Sequence, residues 1–256
     1  MTRSLYGDLE FPEPPAERPY TYANMAMTLD GKVAVGNRGY LLTGSPADRR
    51  AMDELRASAD AVMVGAGTIR LDNPPLRVRS DDLRRRRVLA GLPEDPIPVV
   101  VSRSCSVSPS AKAFSTAGAV VVTCAEAPAD RRDALAKAAR MLICGQESVD
   151  LTAAAAVLRK ELGVRRLLVE GGPNLIFSLL RDGLLDELFV TVAPLIKGGR
   201  DTPTLVEGDG FAYPRMPRLT LVSLCEDNGE LFLRYRVLRS EGKQLVPGRC
   251  GGHSDV

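Results

Sequence analysis

The chain has 256 residues, of which 45% are hydrophobic and 26% are charged. This composition is that of a folded globular protein and excludes collagen-like, low-complexity and largely disordered chains. Lysine and arginine outnumber aspartate and glutamate by 34 to 32, and a net charge of +2 excludes a protein whose main role is to neutralise nucleic-acid phosphates. No apolar run approaches the length of a membrane span, so we expect neither a nucleic-acid nor a membrane partner.

The cysteine and histidine content argues against several kinds of catalytic site. The one histidine, His253, lies three residues from the end of the chain, which excludes a histidine-based catalytic triad. The five cysteines are an odd number with no CxxC pair. We therefore expect reduced thiols, no bound metal and a cytoplasmic location.

Local composition divides the chain into three parts. Residues 1–18 are polar and proline-rich and are predicted to form an N-terminal arm. Residues 239–256 have no periodic apolar residues and are predicted to form a flexible tail. Residues 19–238 are long enough for one domain with a large core.

The first part of this domain alternates strand-like and helix-like patterns. Asp30-Gly31 separates two strand-like runs, and Ser45-Pro46 is typical of a helix start, with the serine as cap. Prolines at 74 and 75 prevent a helix from continuing after the Gly65–Thr68 segment. The predicted elements are strands at 20–27 and 32–35, a helix from 45 to about 56–58, and a strand at 61–64.

The rest of the domain continues the alternation and then changes character. Strands are predicted at 97–101, 119–123, 141–143 and 166–169, with helices at 150–162 and from Pro173 to Gly183. Three strand-like runs at 188–193, 219–224 and 231–237 follow, with few residues available for crossover helices. The sequence therefore predicts an α/β fold, with a central, mostly parallel sheet flanked by helices and antiparallel C-terminal strands.

The segment VEGGPNL, residues 169–175, is the strongest local signal of a binding site. Two glycines allow close approach of a ligand to the backbone, and the N-terminus of the following helix favours an anion such as a pyrophosphate. A Gly-Gly-Pro turn is also a common tight connection without function. Glu170, at the carboxyl end of a central strand, is suited to accept hydrogen bonds from an amino-pyrimidine or a sugar hydroxyl.

Three other segments carry polar side chains after predicted strands. Residues 64–79 place Thr68, Asp72 and Arg79 around a proline-rich loop, although a plain surface loop explains them equally well. Asp30-Gly31 is typical of an ordinary turn. Ser102, Arg103 and Ser104 are suited to hold the 2′-phosphate of NADPH, although a polar strand exit needs no function.

The run Arg84 to Arg87 has neighbouring aspartates and no interleaved aromatic residues. We interpret it as a solvated face and not as a nucleic-acid site.

Four motifs in this order resemble the riboflavin-biosynthesis reductases, whose fold is like that of dihydrofolate reductase. They are NMAMTLDGK (24–32), VMVGAGTIRLDNPPLRVR (62–79), LLVEGGPNL (167–175) and DELFVTVAPLIKGG (186–199), and the match covers about residues 20–238. The resemblance implies a homodimeric enzyme that uses NADPH to reduce a ribosylamino-pyrimidinone 5′-phosphate to its ribityl form. The chain has no HxE or PCxxC deaminase motif, so the resemblance implies a stand-alone reductase.

The resemblance also assigns roles by position. Cofactor contacts fall on Thr68 and Asp72, on Ser102, Arg103 and Ser104 near the adenosine phosphate, and on the pyrophosphate cradle Gly171, Gly172, Pro173, Asn174 and Leu175. Substrate contacts fall on Asn24, Arg56, Leu76, Arg79 and Glu170, with Arg79 as the candidate for the substrate phosphate. Asn24 stands where the archaeal and fungal reductases also have asparagine. The resemblance therefore favours the 2,5-diamino substrate over the 5-amino one. Gly39-Tyr40-Leu41 departs from the family's polar and aromatic pattern.

Hydride transfer needs alignment and exclusion of water more than it needs a histidine or a metal. The proton for the ring oxygen is expected from Asp30, Glu170 or a water molecule, with Glu170 mainly orienting the substrate. Two alternatives remain open at this stage. One is a dihydrofolate or pterin reductase on the same scaffold, and the other is a nucleotide-binding protein without catalysis.

Overall fold

The structure, a computed structural model, describes residues 5–7, 9–33 and 45–238. The strands within these residues are β1 (Tyr20–Thr28), β2 (Ala61–Gly65), β3 (Ile97–Val101), β4 (Val120–Thr123), β5 (Arg140–Ile143), β6 (Arg166–Val169), β7 (Glu187–Ala193), β8 (Arg218–Asp227) and β9 (Glu230–Leu238). The helices are α1 (Pro46–Ala57), α2 (Ala66–Asp72), α3 (Asp81–Leu89), α4 (Ala129–Ala136), α5 (Leu151–Lys160) and α6 (Pro173–Arg181). None of these helices is long and apolar enough to cross a membrane.

The strands form one sheet in the order β5-β4-β3-β2-β6-β1-β7-β9-β8. Every neighbouring pair from β5 to β7 is parallel, whereas β9 runs antiparallel to both β7 and β8. The predicted fold class is therefore confirmed. The strand order reverses where β6 lies between β2 and β1, and in open α/β sheets ligands bind beyond the carboxyl ends of the strands at such a point.

Each face of the sheet has its own apolar core. Ala23 and Met25 of β1 face α5 and α6, whereas Tyr20 and Tyr22 face α1, α2 and α4. The alternation follows from the two-residue period of a strand. Both faces are buried, which explains why runs such as 97–101 are apolar throughout.

Several elements differ from the predictions. Residues 66–72 form the short helix α2, which ends at Asn73 in the left-handed conformation (φ 45°) directly before the prolines. Lys32 forms an isolated bridge with Thr204. The rest of the predicted strand at 34–35, the segment Gly39-Tyr40-Leu41 and the predicted tail at 239–256 lie outside the described residues.

The prediction that Arg84 to Arg87 form a solvated face is wrong for Arg87. This side chain is buried against α1, and its guanidinium donates to the carbonyls of Ala57 (2.9 Å), Ala59 (2.6 Å) and Pro93 (2.9 Å). A buried guanidinium is stable only where such acceptors surround it. Arg87 therefore attaches α3 to the C-terminal end of α1.

The described part of residues 1–18 packs against the domain. Phe11 stacks on Tyr22 with ring centroids 4.5 Å apart, and the guanidinium of Arg234 lies 5.3 Å from the centre of the Phe11 ring. Arg234 also donates to the carbonyl of Glu10 (3.0 Å). Tyr6 is fully buried. These two aromatic residues make the arm part of the core on the α1 face.

Candidate active site

The candidate site lies at the carboxyl edge of the sheet, where β6 ends between β2 and β1. The β2–β6 ladder continues past β6, because Glu170 donates its N–H to Met63 (2.9 Å) and Gly65 donates to Gly171 (2.9 Å). The segment after β6 is therefore fixed against the end of β2. It is the segment that the sequence singles out as the strongest binding signal.

Glu170 and Arg56 form an ion pair at this edge. Nε of Arg56 donates to Oε1 of Glu170 (2.7 Å) and Nη2 donates to Oε2 (2.6 Å), while Nη1 donates to the carbonyls of Arg77 (2.8 Å) and Pro75 (3.3 Å). The two side chains are 2% and 9% exposed. Pairing with Glu170 raises the pKa of Arg56 despite its burial. Arg56 thus orients the Glu170 carboxylate toward a ligand, whereas its own N–H groups are mostly used within the protein.

The loop after α2 presents Arg79 next to this pair. The buried carboxylate of Asp53, on α1, accepts the backbone N–H groups of Arg79 and Ser80 (both 3.2 Å). The Arg79 side chain is exposed, whereas Leu76 is fully buried and packs in the core on the α1 face. The backbone is therefore anchored while the guanidinium remains accessible to an anion.

Asn24 lies beside Glu170 on the same face of the sheet. The β1–β6 ladder ends with Ala23 opposite Val169, and Asn24 and Glu170 are the residues that directly follow this last pair. Asn24 is half-buried, and its Oδ1 accepts a hydrogen bond from the hydroxyl of Tyr6 (3.3 Å). A carboxylate and a carboxamide therefore line one crevice.

The Gly171-Gly172 turn has a backbone conformation that favours glycine and lies against Met25 and Thr68. Gly171 has φ +88°, and a Cβ built on it would lie 3.3 Å from Sδ of Met25. The hydroxyl of Thr68 approaches both glycines, 3.6–3.7 Å from where their Cβ atoms would stand. Helix α6 begins at Pro173 with no side-chain cap, followed by Asn174 and Leu175. The arrangement offers backbone and hydroxyl donors to an anion.

A cleft of about 650 Å³ lies beyond β3, between α2 and α4. Nη1 of Arg70 donates to the carbonyl and hydroxyl oxygens of Ser106 (3.3 and 3.2 Å), and Arg131 donates to the carbonyl of Ser104 (3.5 Å). The cleft is lined by Ile69, Arg70, Asn73, Cys105, Ser106, Val107, Ser108, Ser110, Ala111 and Arg131. Two guanidiniums among serine hydroxyls suit a phosphate.

The residues after β3 and at the end of α2 take different positions around this cleft. Ser102 is buried, Arg103 donates to the carbonyl of Glu147 (2.9 Å), and Ser104 is exposed and donates to Ser106 (3.1 Å). Asp72 is exposed at the end of α2. Of the residues predicted here, Ser104 is thus the one placed beside the two arginines of the cleft.

The Asp30 carboxylate accepts hydrogen bonds from three groups of the surrounding chain. Its carboxylate accepts from the Thr28 hydroxyl (2.6 Å) and from the backbone N–H groups of Lys197 (3.0 Å) and Gly198 (2.6 Å). These hydrogen bonds lower the pKa of Asp30 to about 2. It is therefore ionised near neutral pH and holds the segment after β7 against the end of β1.

Sequence reasoning missed several groups around the site. Arg70 lies inside the motif at 62–79, but nothing in that motif indicates that its side chain lines a cleft. No local sequence pattern marks Arg131. Asp48, on α1, is a buried carboxyl close to Thr191, and its burial raises its pKa to about 6. Asp48 and Asp53 are acidic residues among the alanines and the leucine on the buried side of α1, a pattern that indicates a buried partner.

Replacing Arg56 with lysine tests how the ion pair organises the site. One ammonium cannot reproduce four hydrogen bonds to a carboxylate and two carbonyls, so we expect Arg56→Lys to lower the free energy of unfolding by about 2–4 kcal/mol. The matched change Arg79→Lys, at an exposed guanidinium, should alter it by less than about 0.5 kcal/mol. Urea unfolding of both variants measures the difference. Equal stability of the two variants contradicts this account of Arg56.

Comparison with known proteins identifies the family of the chain. Residues 19–233 match the model of the RibD C-terminal domain family. The chain is 39% identical over 195 residues to the 2,5-diamino-6-ribosylamino-4(3H)-pyrimidinone 5′-phosphate reductase of Archaeoglobus fulgidus, a match that covers 76% of this chain and 89% of that one.

A second relative and a solved structure extend the comparison. The protein of the same name from Aquifex aeolicus is 28% identical over 90% of this chain and 95% of its own length. The structure of a pyrimidine reductase-like protein from Corynebacterium diphtheriae superposes with a TM-score of 0.74 at 23% identity, covering 87% of this chain and 93% of that one. The fold is that of dihydrofolate reductase-like enzymes, and the chain belongs to the RibD C-terminal domain family of riboflavin-biosynthesis pyrimidine reductases.

Proposed function

We propose that the protein is an NADPH-dependent reductase of a ribosylamino-pyrimidinone 5′-phosphate and that it prefers the 2,5-diamino substrate. The observation that carries the proposal is the Glu170 carboxylate, held by Arg56 next to Asn24 and directly before the Gly171-Gly172 cradle. Substrate groups and cofactor groups are thereby adjacent at one sheet edge. The names of the Archaeoglobus and Aquifex relatives support the 2,5-diamino form.

Glu170 and Asn24 recognise the pyrimidinone ring in this proposal. Both Glu170 oxygens already accept from Arg56, and their remaining lone pairs can accept hydrogen bonds from exocyclic amino groups. Arg79 is exposed on an anchored backbone and binds the 5′-phosphate. The role of Glu170 is therefore orientation of the substrate.

The cofactor fits the donor set on the other side of Glu170. The Gly171-Gly172 backbone, Thr68 and the start of α6 would hold the pyrophosphate. Arg70, Arg131 and Ser104 would hold the 2′-phosphate of the adenosine half in the cleft beyond β3. When bound, the nicotinamide supplies the hydride that reduces the sugar carbon.

Asp30 enters the proposal as an anchor near the reacting end of the site. Because hydrogen bonds hold its pKa at about 2, it has no proton to donate at neutral pH. Its bonds to Lys197 and Gly198 keep the segment after β7 against the crevice.

The assay that tests the proposal follows the loss of NADPH absorbance with the purified protein. We expect oxidation with the 2,5-diamino ribosylamino-pyrimidinone phosphate, slower oxidation with the 5-amino compound, and none with dihydrofolate, because the latter has no phosphate for Arg79. Turnover with dihydrofolate alone assigns the protein to the pterin reductases. Cofactor binding without any turnover assigns it to the nucleotide-binding proteins.

Arg79→Ala tests, in the same assay, whether Arg79 binds the substrate phosphate. Loss of one charge-assisted hydrogen bond to phosphate should raise KM for the phosphorylated substrate by about 10- to 100-fold and leave KM for NADPH unchanged. An unchanged KM for the phosphorylated substrate contradicts the role of Arg79.

Arg70→Ala tests whether the cleft beyond β3 selects NADPH. We expect KM for NADPH to rise by about 10- to 100-fold while KM for NADH stays the same, since NADH has no 2′-phosphate. Arg140→Ala, which removes an exposed guanidinium paired with Glu161, is the matched control and should change neither. If the two cofactors weaken equally, the 2′-phosphate does not bind at Arg70.

We also propose that the protein is a homodimer that pairs through β8. This ten-residue edge strand exposes apolar side chains, including Leu219, Leu221 and Leu224, which are 40–57% exposed. A long apolar edge is a surface that pairs with another chain. Sedimentation equilibrium should give twice the 27.5 kDa chain mass, and Leu221→Lys should shift the protein to the single-chain mass. A wild-type protein of single-chain mass contradicts the dimer.

A further inference from the structure

We propose that Tyr6, from the N-terminal arm, is a positioning residue for the substrate that orients the carboxamide of Asn24 in the crevice. The inference rests on the proposed function, because it takes Asn24 as a substrate contact. It extends the site to a segment far from the family motifs in sequence. The arm thereby becomes part of the substrate site as well as part of the core.

The position of Tyr6 is fixed by packing and by hydrogen bonds. The ring makes edge-on contacts with Phe189 (centroids 4.9 Å apart, 82° between planes) and Phe232 (5.7 Å, 76°). The hydroxyl of Ser223, on β8, donates to the Tyr6 carbonyl (2.8 Å). A ring held on two sides, with its backbone tied to a strand, has one direction for its hydroxyl.

The hydroxyl of Tyr6 lies between Asn24 and Thr191. It donates to Oδ1 of Asn24 (3.3 Å) and shares a hydrogen bond with Oγ1 of Thr191 (2.9 Å). Thr191 is fully buried on β7, close to the buried carboxyl of Asp48, and it donates its one hydroxyl hydrogen to Tyr6, whose own hydrogen goes to Asn24. The chain of polar groups therefore runs from α1 through β7 and the arm to β1.

This chain decides which end of the Asn24 carboxamide faces the crevice. Because Oδ1 is occupied by Tyr6, Nδ2 and its two N–H groups are the end presented beside Glu170. The crevice then offers a donor from Asn24 and acceptors from Glu170. A heterocycle with a carbonyl oxygen or ring nitrogen next to an amino group matches that order.

Tyr6→Phe tests the inference, because it removes the hydroxyl and keeps the ring. We expect KM for the diamino-pyrimidinone phosphate to rise about tenfold, as for the loss of one orienting hydrogen bond, with KM for NADPH unchanged. Tyr20→Phe is the matched control, since it removes another buried phenol hydroxyl, one that bonds to Glu187. The control should leave both KM values unchanged.

A double-mutant cycle with Asn24→Ala separates positioning from a general structural effect. If Tyr6 acts through Asn24, Tyr6→Phe has no further effect on the substrate KM once Asn24 is alanine. A Tyr6→Phe protein with a wild-type substrate KM overturns the inference. So does a Tyr6→Phe effect of the same size in the Asn24→Ala background.

A measurement without substrate distinguishes failure of the inference from failure of the proposed function. The side-chain amide signal of Asn24, assigned by its loss in Asn24→Ala, is followed by NMR in ¹⁵N-labelled protein. We expect Tyr6→Phe to shift or broaden this signal and Tyr20→Phe to leave it in place. An unmoved signal in Tyr6→Phe overturns the inference whether or not the wild-type enzyme reduces a pyrimidinone.

Discussion

The pairing of Arg56 with Glu170 is the constraint on which the site depends. A guanidinium that is 2% exposed needs acceptors around it, and here Glu170 and the carbonyls of Pro75 and Arg77 accept four hydrogen bonds from it. Helix α1, the end of β6 and the loop that carries Arg79 are consequently held in one arrangement. Such a buried pair adds little net stability over an apolar pair, so its value lies in the geometry that it imposes.

That geometry separates two sets of polar groups along the sheet edge. Asn24, on β1, and Arg79, in the loop anchored to α1, present groups suited to a polar ring and a phosphate. The glycine turn, Thr68 and Arg70 present donors suited to a dinucleotide. Because β6 lies at the point where the strand order reverses, both sets converge without any long loop.

Sequence patterns were sufficient where one local rule decides the structure. Regular apolar spacing predicts helices α5 and α6. A strand followed by two glycines and a proline predicts the turn that carries Glu170 and Gly171. The burial of Arg87 was not predictable, because its acceptors are the backbone carbonyls of Ala57 and Ala59 at the end of α1. No side-chain pattern indicates which backbone carbonyls will accept a hydrogen bond from a distant arginine. Arg70 and Arg131 meet only because β3 brings α2 and α4 to the same edge.

The N-terminal arm shows most clearly that tertiary contacts can bury a segment whose sequence indicates a solvated one. Tyr6 and Phe11 are isolated apolar residues among prolines and charges, which indicates a solvated arm when taken alone. The antiparallel strands β9 and β8 extend the sheet beyond β7, and their α1 face supplies Phe232, Arg234 and Ser223 as partners. Part of that face is thus covered by the chain's own N-terminal segment. A group that we propose to position a substrate contact can therefore come from a segment with no family motif, provided that the extended sheet gives it a place to pack.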